Sequence, residues 1–207
     1  MRNLKARIVM TRDEMTKTDI VETFLLILNK IVEYTSDLAQ ITPTIFDNKS
    51  APKEKDDETS TCVSSYEENV NNSLIEEEEE KEKDKFTLSD SLYYWIEKLQ
   101  FDENLIILTI MTIDKLLAKN FIVTADNVKK VLFTAMVITQ KNYEDEIYND
   151  KDYCKLIGVT ANELIEMQIE FLTTIDFCLF ISDESLEAYK LKVRHLWKKT
   201  LSVFSIT

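Results

Sequence analysis

Apolar residues recur at three- and four-residue steps through most of this chain, the spacing that lines one face of a helix. Ile20, Phe24, Ile27, Leu28, Ile31 and Val32 form the first such stripe and predict a helix over 16–40, closed by Pro43. From residue 86 the apolar positions become denser. Ser89 or Asp90 caps a predicted helix running to about Gln100, and Asp102 caps the next, to about Lys119. That second segment carries Leu105, Ile106, Ile107, Leu108, Ile110, Met111, Ile113, Leu116 and Leu117, apolar on nearly every side. A helix with no polar face is surrounded by others, so it belongs at the centre of a bundle.

Thr124 opens a third predicted helix, with Val128, Val131, Leu132, Ala135, Met136 and Ile138 facing inward. It ends near Lys141, after which the chain is acidic and aromatic and reads as a connector. Thr160 and Glu163 carry the capping-box spacing and open a fourth helix, through roughly Thr174. Ser182 or Asp183 begins a fifth, reaching about Trp197. No alternating strand pattern intervenes, so the predicted fold class is all-α. Two prolines and one glycine fit short helix–helix links and argue against turn-rich β architectures.

Residues 47–85 break the pattern. They hold 14 acids and 6 lysines among serines, threonines and asparagines, and include the run Glu76–Glu80. Such a stretch buries too little apolar surface to offset its ordering entropy and reads as a disordered insertion, with a solvated helix over 66–85 as the rival. Ser64 and Ser65, each with a glutamate three residues later, have the spacing of sites for an acid-directed kinase. An inert linker is the preferred reading. This segment accounts for −8 of the chain's net −13, so the remainder is only mildly acidic.

Composition then removes most chemistry. One glycine excludes a phosphate-cradling glycine-rich loop. One histidine, His195, and the dispersed cysteines Cys62, Cys154 and Cys178 disfavour a zinc site, a Cys–His dyad or a disulfide framework. No metal or other cofactor is expected, and an enzyme is the minority reading. An odd cysteine count suggests a reducing, intracellular setting, in nucleus or cytoplasm. No signal-length or membrane-length apolar run is present, and the acidity disfavours nucleic-acid backbone binding.

The ordered combination of pieces between 86 and 181 resembles a cyclin box, most of all that of the Pho-type cyclins (P- or U-type, with cyclin Y a relative). Ile113-Asp114-Lys115-Leu116 is similar to the family's "IDRL", and Asn127-Val128-Lys129-Lys130-Val131-Leu132 to the start of its third helix. Lys141, Asp145, Tyr148, Tyr153, Lys155, Gly158 and Glu163-Leu164 fall at the spacing of its "K..(D/E)D..Y.N..Y.K.GG(I/V)...EL..LE" run. Phe171-Leu172 and Ile175-Asp176-Phe177 match "FL..(I/L)DF", and Phe46–Pro52 resembles the short stretch preceding the box. The resemblance implies an N-terminal helical region over 1–45, the acidic insertion over 46–85, a five-helix box over 86–181 and a C-terminal helix over 182–207. Only 26 residues follow Ile181, too few for a second box.

It also implies a function: a regulatory subunit, not itself an enzyme, that binds and activates a cyclin-dependent protein kinase. Lys141 at a helix end would clamp backbone groups around the kinase's mobile C-helix, aided by Asp145, Phe171 and the residue on the following helix, Gln168. Where the family has a glutamate this chain has Gln168, which keeps an acceptor but loses the charge. Glu166 and Glu170 lie too far around the helix to substitute. Many cyclins also pair an arginine with the aspartate of the second helix. Here the corresponding positions are Tyr94 and Asp114, which can form at most a hydrogen bond. The connector departs again at Asp150 and Ile157, and no hydrophobic substrate-docking patch is evident around Tyr93, Tyr94 and Trp95. The basic helix with Lys190, Lys192, Arg194, Lys198 and Lys199 reads as a solvated face. These departures leave a further reading, a pseudo-cyclin scaffold that does not activate a kinase. A third, from another class, is a transcription-factor or nucleic-acid module, because general transcription factors share the bundle the resemblance implies. The net charge and the single box speak against it. No nucleic-acid, membrane or small-molecule partner is expected.

Overall fold

The computed structural model describes residues 15–35 and 87–204. The acidic insertion, Ser64 and Ser65, Phe46–Pro52 and the end of the first predicted helix lie outside these residues. Seven helices follow one another in the described residues: α1 Lys17–Thr35, α2 Leu88–Lys98, α3 Glu103–Leu117, α4 Val128–Tyr143, α5 Asp150–Ile157, α6 Ala161–Thr174 and α7 Asp183–Phe204. No strand accompanies them among the described residues, and the fold is all-α as the periodicity predicts.

Several starts are explained by a short polar side chain. Asp102 accepts the amide of Leu105 at 2.7 Å to open α3. The α2 cap lies upstream of the expected Ser89 or Asp90. It is Thr87, with Asp90 returning the bond from the third helical position. Thr124 does not start α4 directly. It forms a turn with Asn127, whose amide oxygen accepts the Thr124 N–H at 2.8 Å, and the helix follows at Val128. Thr160 caps α6 by accepting the Glu163 amide, but the Glu163 carboxylate crosses to Lys130 on α4 at 2.8 Å. The stretch expected to be only a connector contains α5, capped by Asn149 and ended by Gly158 at φ 77. That left-handed position is the one place where this chain needs its glycine.

The core is built around two helices. α3 is buried on nearly all sides, as its sequence predicts, and packs against α1, α4 and α7. α4 is buried at every residue from Val131 to Gln140 and packs on α2, α3, α5 and α6. Three of its buried side chains, Thr134, Thr139 and Gln140, are polar, which lowers its apparent amphipathicity. The Thr134 hydroxyl donates to the Lys130 carbonyl within its own helix at 2.8 Å. Gln140 is bonded at both ends: it donates to the Leu99 carbonyl and accepts from the Tyr153 hydroxyl, each at 3.0 Å. Tyr153 is fully buried, its phenol pushed up to about 12 by burial, and its ring meets Phe133 and Tyr148 edge-on. Trp95 meets Phe133 and donates to the Leu156 carbonyl at 3.3 Å. These contacts seat α5 against the core despite its eight-residue length.

α7 packs against α1 and α3, and α3 supplies a polar contact as well. The Tyr189 hydroxyl donates to Asp114 Oδ2. The expected pairing of Asp114 with Tyr94 is therefore corrected. Tyr94 stands on the exposed face of α2 with the Lys98 ammonium 5.7 Å from its ring centroid. α3 also holds the link before α7. Lys115 donates to the carbonyls of Cys178 (2.9 Å) and Phe180 (3.0 Å), and Lys119 pairs with Asp176 at 2.6 Å. Partial desolvation under α7 raises the Asp114 carboxyl above its ordinary 3.8, opposed by the Tyr189 bond and the nearby Lys192 charge.

Two outcomes follow from these anchors. Tyr153→Phe keeps the ring but leaves the Gln140 oxygen unsatisfied in the core, so urea unfolding should show a loss of about 1–3 kcal/mol. A change below about 0.5 kcal/mol, within the range of neutral surface substitutions, would contradict this anchoring role. A raised folded-state carboxyl holds its proton after the unfolded chain has released it, so Asp114 contributes less stability as pH rises past the ordinary value. Wild-type stability relative to Asp114→Asn should fall between acidic and neutral pH, and a relative rise would contradict it.

Candidate functional site

α4 leaves the core at its C-terminus, and the first side chain to meet solvent there is Lys141. Its ammonium donates to Asp150 Oδ1 at 2.6 Å and to Gln168 Oε1 at 3.0 Å, and lies 5.6 Å from the Tyr153 ring centroid. Three helices therefore build one notch: α4 supplies the cation, α5 the carboxylate and aromatic floor, α6 the amide. The geometry has local causes. Lys141 stands in the last turn of α4, where a cation complements the carbonyl end of the helix. Asp150 opens α5, where an anion complements the amide end. Gln168 is half-buried and donates its own amide to the Leu164 carbonyl at 3.1 Å, which turns its oxygen toward the lysine. The lysine side chain is 29% exposed and the aspartate 47%, so the notch opens to solvent.

The expected site residues separate into three groups. Lys141 and Gln168 meet. Asp145 is exposed in the link after α4, close in sequence to Glu144 and Glu146, which line a cleft with Gln140 and Tyr148. Phe171 is different. It is fully buried, and with Leu164 and Met167 it forms the inward stripe of α6, so it has no surface to offer a partner. Its place in the site is corrected to one of core support.

Two groups were not anticipated. Asp150 appeared in the sequence only as a departure from the family pattern, yet it is the charged partner of Lys141. The other is apolar surface. On α6, steps of about 100° per residue carry the helix face from Gln168 through Leu172 and Ile165 to Ile169. Ile165 is 45% and Ile169 54% exposed. After α6 the chain turns through Asp176 and Phe177, both at positive φ (54° and 53°), a conformation costly for side chains with a Cβ. That turn leaves Phe177 64% and Phe180 81% exposed, and the Tyr143 hydroxyl fixes the intervening Leu179 carbonyl at 3.0 Å. A helical spacing of i, i+4 for Ile165 and Ile169, out of phase with the core stripe, was the available signal. Among the described residues no group of three His, Cys, Asp or Glu could hold a metal, and no helix is long and apolar enough to cross a membrane.

Comparisons with known proteins bear on this arrangement. The cyclin family profile matches residues 27–179, a stretch that begins within α1 and ends just beyond α6. PHO85 cyclin-7 of Saccharomyces cerevisiae is 29% identical over 77 residues, covering 37% of this chain and 27% of that protein. PHO85 cyclin-like protein psl1 of Schizosaccharomyces pombe is 33% identical over 63 residues, 30% of this chain and 26% of its own length. Cyclin-U3-1 of Arabidopsis thaliana is 29% identical over 63 residues, with 30% and 28% covered. These matches span little more than a quarter of the relatives' own length. The family match itself extends over most of the chain and includes every residue of the Lys141 notch, and the chain belongs to the cyclin family, with relatives among the PHO85 and plant U-type cyclins.

Proposed function

We propose that this chain is the regulatory subunit of a cyclin-dependent protein kinase, with the box assigned to 86–181 and α1 and α7 as flanking helices. The observation that carries this reading is the Lys141–Asp150–Gln168 notch with the exposed apolar positions Ile165 and Ile169 further round the same helix as Gln168. A polar notch at one helix end, continuing into an exposed apolar strip, suits an amphipathic helix. The strip buries its apolar side and the notch satisfies backbone groups at its end. In the kinase that helix is the mobile C-helix. Holding it inward sets the kinase's own lysine–glutamate pair for ATP, so the effect on catalysis is made at a distance.

Asp150 gives the proposal a form particular to this chain. Gln168 cannot supply the negative charge that a glutamate would, and Asp150 Oδ1 reaches the same ammonium from the other side. An ammonium has three donors, and the two protein acceptors orient it. The notch thus combines one charged and one neutral acceptor, and the protein acts inside the cell, where its kinase resides. Gln168 also motivates a second reading, in which the box binds a partner as a scaffold without activating it.

Co-expression and pull-down against a panel of cyclin-dependent kinases tests the first reading, and failure to retain any of them would sink it. Lys141→Glu should weaken the retained complex at least tenfold, the scale expected when one member of a hydrogen-bonded charge cluster is reversed, while the thermal midpoint shows the fold intact. Gln168→Glu separates the two readings. Kinase activity in the complex should be raised if the notch holds the C-helix, whereas an unchanged activity fits a scaffold that binds elsewhere.

A further inference from the structure

The C-terminal half of α7 carries a surface that the notch does not use. Residues 190–199, KLKVRHLWKK, contain five lysines and arginines and no acid. Val193 and Trp197 are buried and hold this part of the helix on the core, at 2% and 4% exposed. On the outward side, Leu191 is followed at i+3, i+4 and i+7 by Arg194, His195 and Lys198, all four exposed. Leu191 itself is 63% exposed. An isolated exposed leucine needs no explanation. A leucine framed by cations at helical spacing forms a mixed apolar and basic stripe, complementary to an acidic segment with an apolar anchor.

The chain itself contains such a segment. Ser73-Leu74-Ile75 is followed directly by Glu76–Glu80, two apolar residues and then five carboxylates. We propose that the outward face of α7, centred on Leu191, Arg194 and Lys198, is the docking surface for Leu74–Glu80 of the same chain. Charge complementarity is the first argument. The insertion holds a net −8 and residues 190–199 a net +5, of which Lys190 is already paired with Glu187 at 2.6 Å.

Reach is the second argument. Glu80 lies seven positions before Thr87, where α2 is capped. Seven residues extend at most about 24 Å. α2 and α7 both pack against α1. Packed helices lie about 8–10 Å apart between axes, so a tether of this length is comparable to the axis separation of two helices that flank α1. Individual surface ion pairs are weak, but a short tether turns the encounter into an intramolecular one at high effective concentration. The contact leaves the Lys141 notch open, because the main neighbours of α7 are α1 and α3 whereas the notch is made by α4, α5 and α6.

Zero-length carbodiimide coupling of the full chain, followed by peptide mapping, tests the docking without any kinase present. Its outcome is therefore separate from that of the proposed function. Amide links from Glu76–Glu80 should concentrate on Lys198 and its neighbours in monomeric protein and fall several-fold from about 50 to about 500 mM salt, as the screening length shortens. Replacing all five glutamates by lysine should abolish them. Adding Arg194→Glu and Lys198→Glu to that variant should restore coupling with the polarity reversed, and circular dichroism checks that α7 is intact. Links spread over the lysines of other helices, or insensitive to salt, would overturn the proposal. Links only between two molecules would give the face to a second copy instead. No links at all would leave it to an external acidic partner.

Discussion

Ten consecutive residues of α4, Val131 to Gln140, have no solvent-facing side, and the remaining helices are arranged by the need to cover them. A helix enclosed all round brings its polar side chains into the interior with it, where an unpartnered group is costly, and the Thr139 hydroxyl is left without a hydrogen-bond partner. Gln140 avoids that cost by joining the end of α2 to the start of α5 through Leu99 and Tyr153. The same enclosure places the cation of the notch. Lys141 is the first residue of α4 to emerge, and it does so between α5 and α6, the helices whose seating the buried segment has determined.

Lysine side chains then complete the assembly at its margins. Lys115 binds two carbonyls of the link before α7, Lys119 an acid in that link, Lys130 the first turn of α6, and Lys141 both α5 and α6. Surface ion pairs contribute little each to stability. Their consequence here is positional: irregular backbone with two successive left-handed residues is held where Phe177 and Phe180 face outward. A turn so unfavourable for non-glycine residues persists only when surrounding contacts specify it.

Much of the site was legible in the chain before its folding was known, because the informative signals were local. Asp102 and Thr160 were recognisable caps, the apolar run of α3 marked a central helix, and the distance from Lys141 to Gln168 matched a helix end facing a later helix. Signals that depend on distant partners were not legible. Asp150 reads as a departure from a pattern until α5 is seen to fold it against Lys141. Tyr189 lies 75 positions from Asp114, and nothing in either neighbourhood marks the pair. Phe171 sits in a motif associated with a contact surface, and only the phase of α6 relative to the core shows that it points inward.

The sequence by itself determined an all-helical chain, most of its helix starts, the acidic character of one segment and membership of a family defined by ordered short motifs. Periodicity, capping and charge act within a few residues, so they survive in a linear reading. The tertiary structure decided which of two greasy helices is completely enclosed, that a supposed connector holds a helix, and that Asp150 and Gln168 meet the same Lys141 ammonium. Those outcomes depend on packing between segments remote in sequence, and their energies exist only once the segments are brought together.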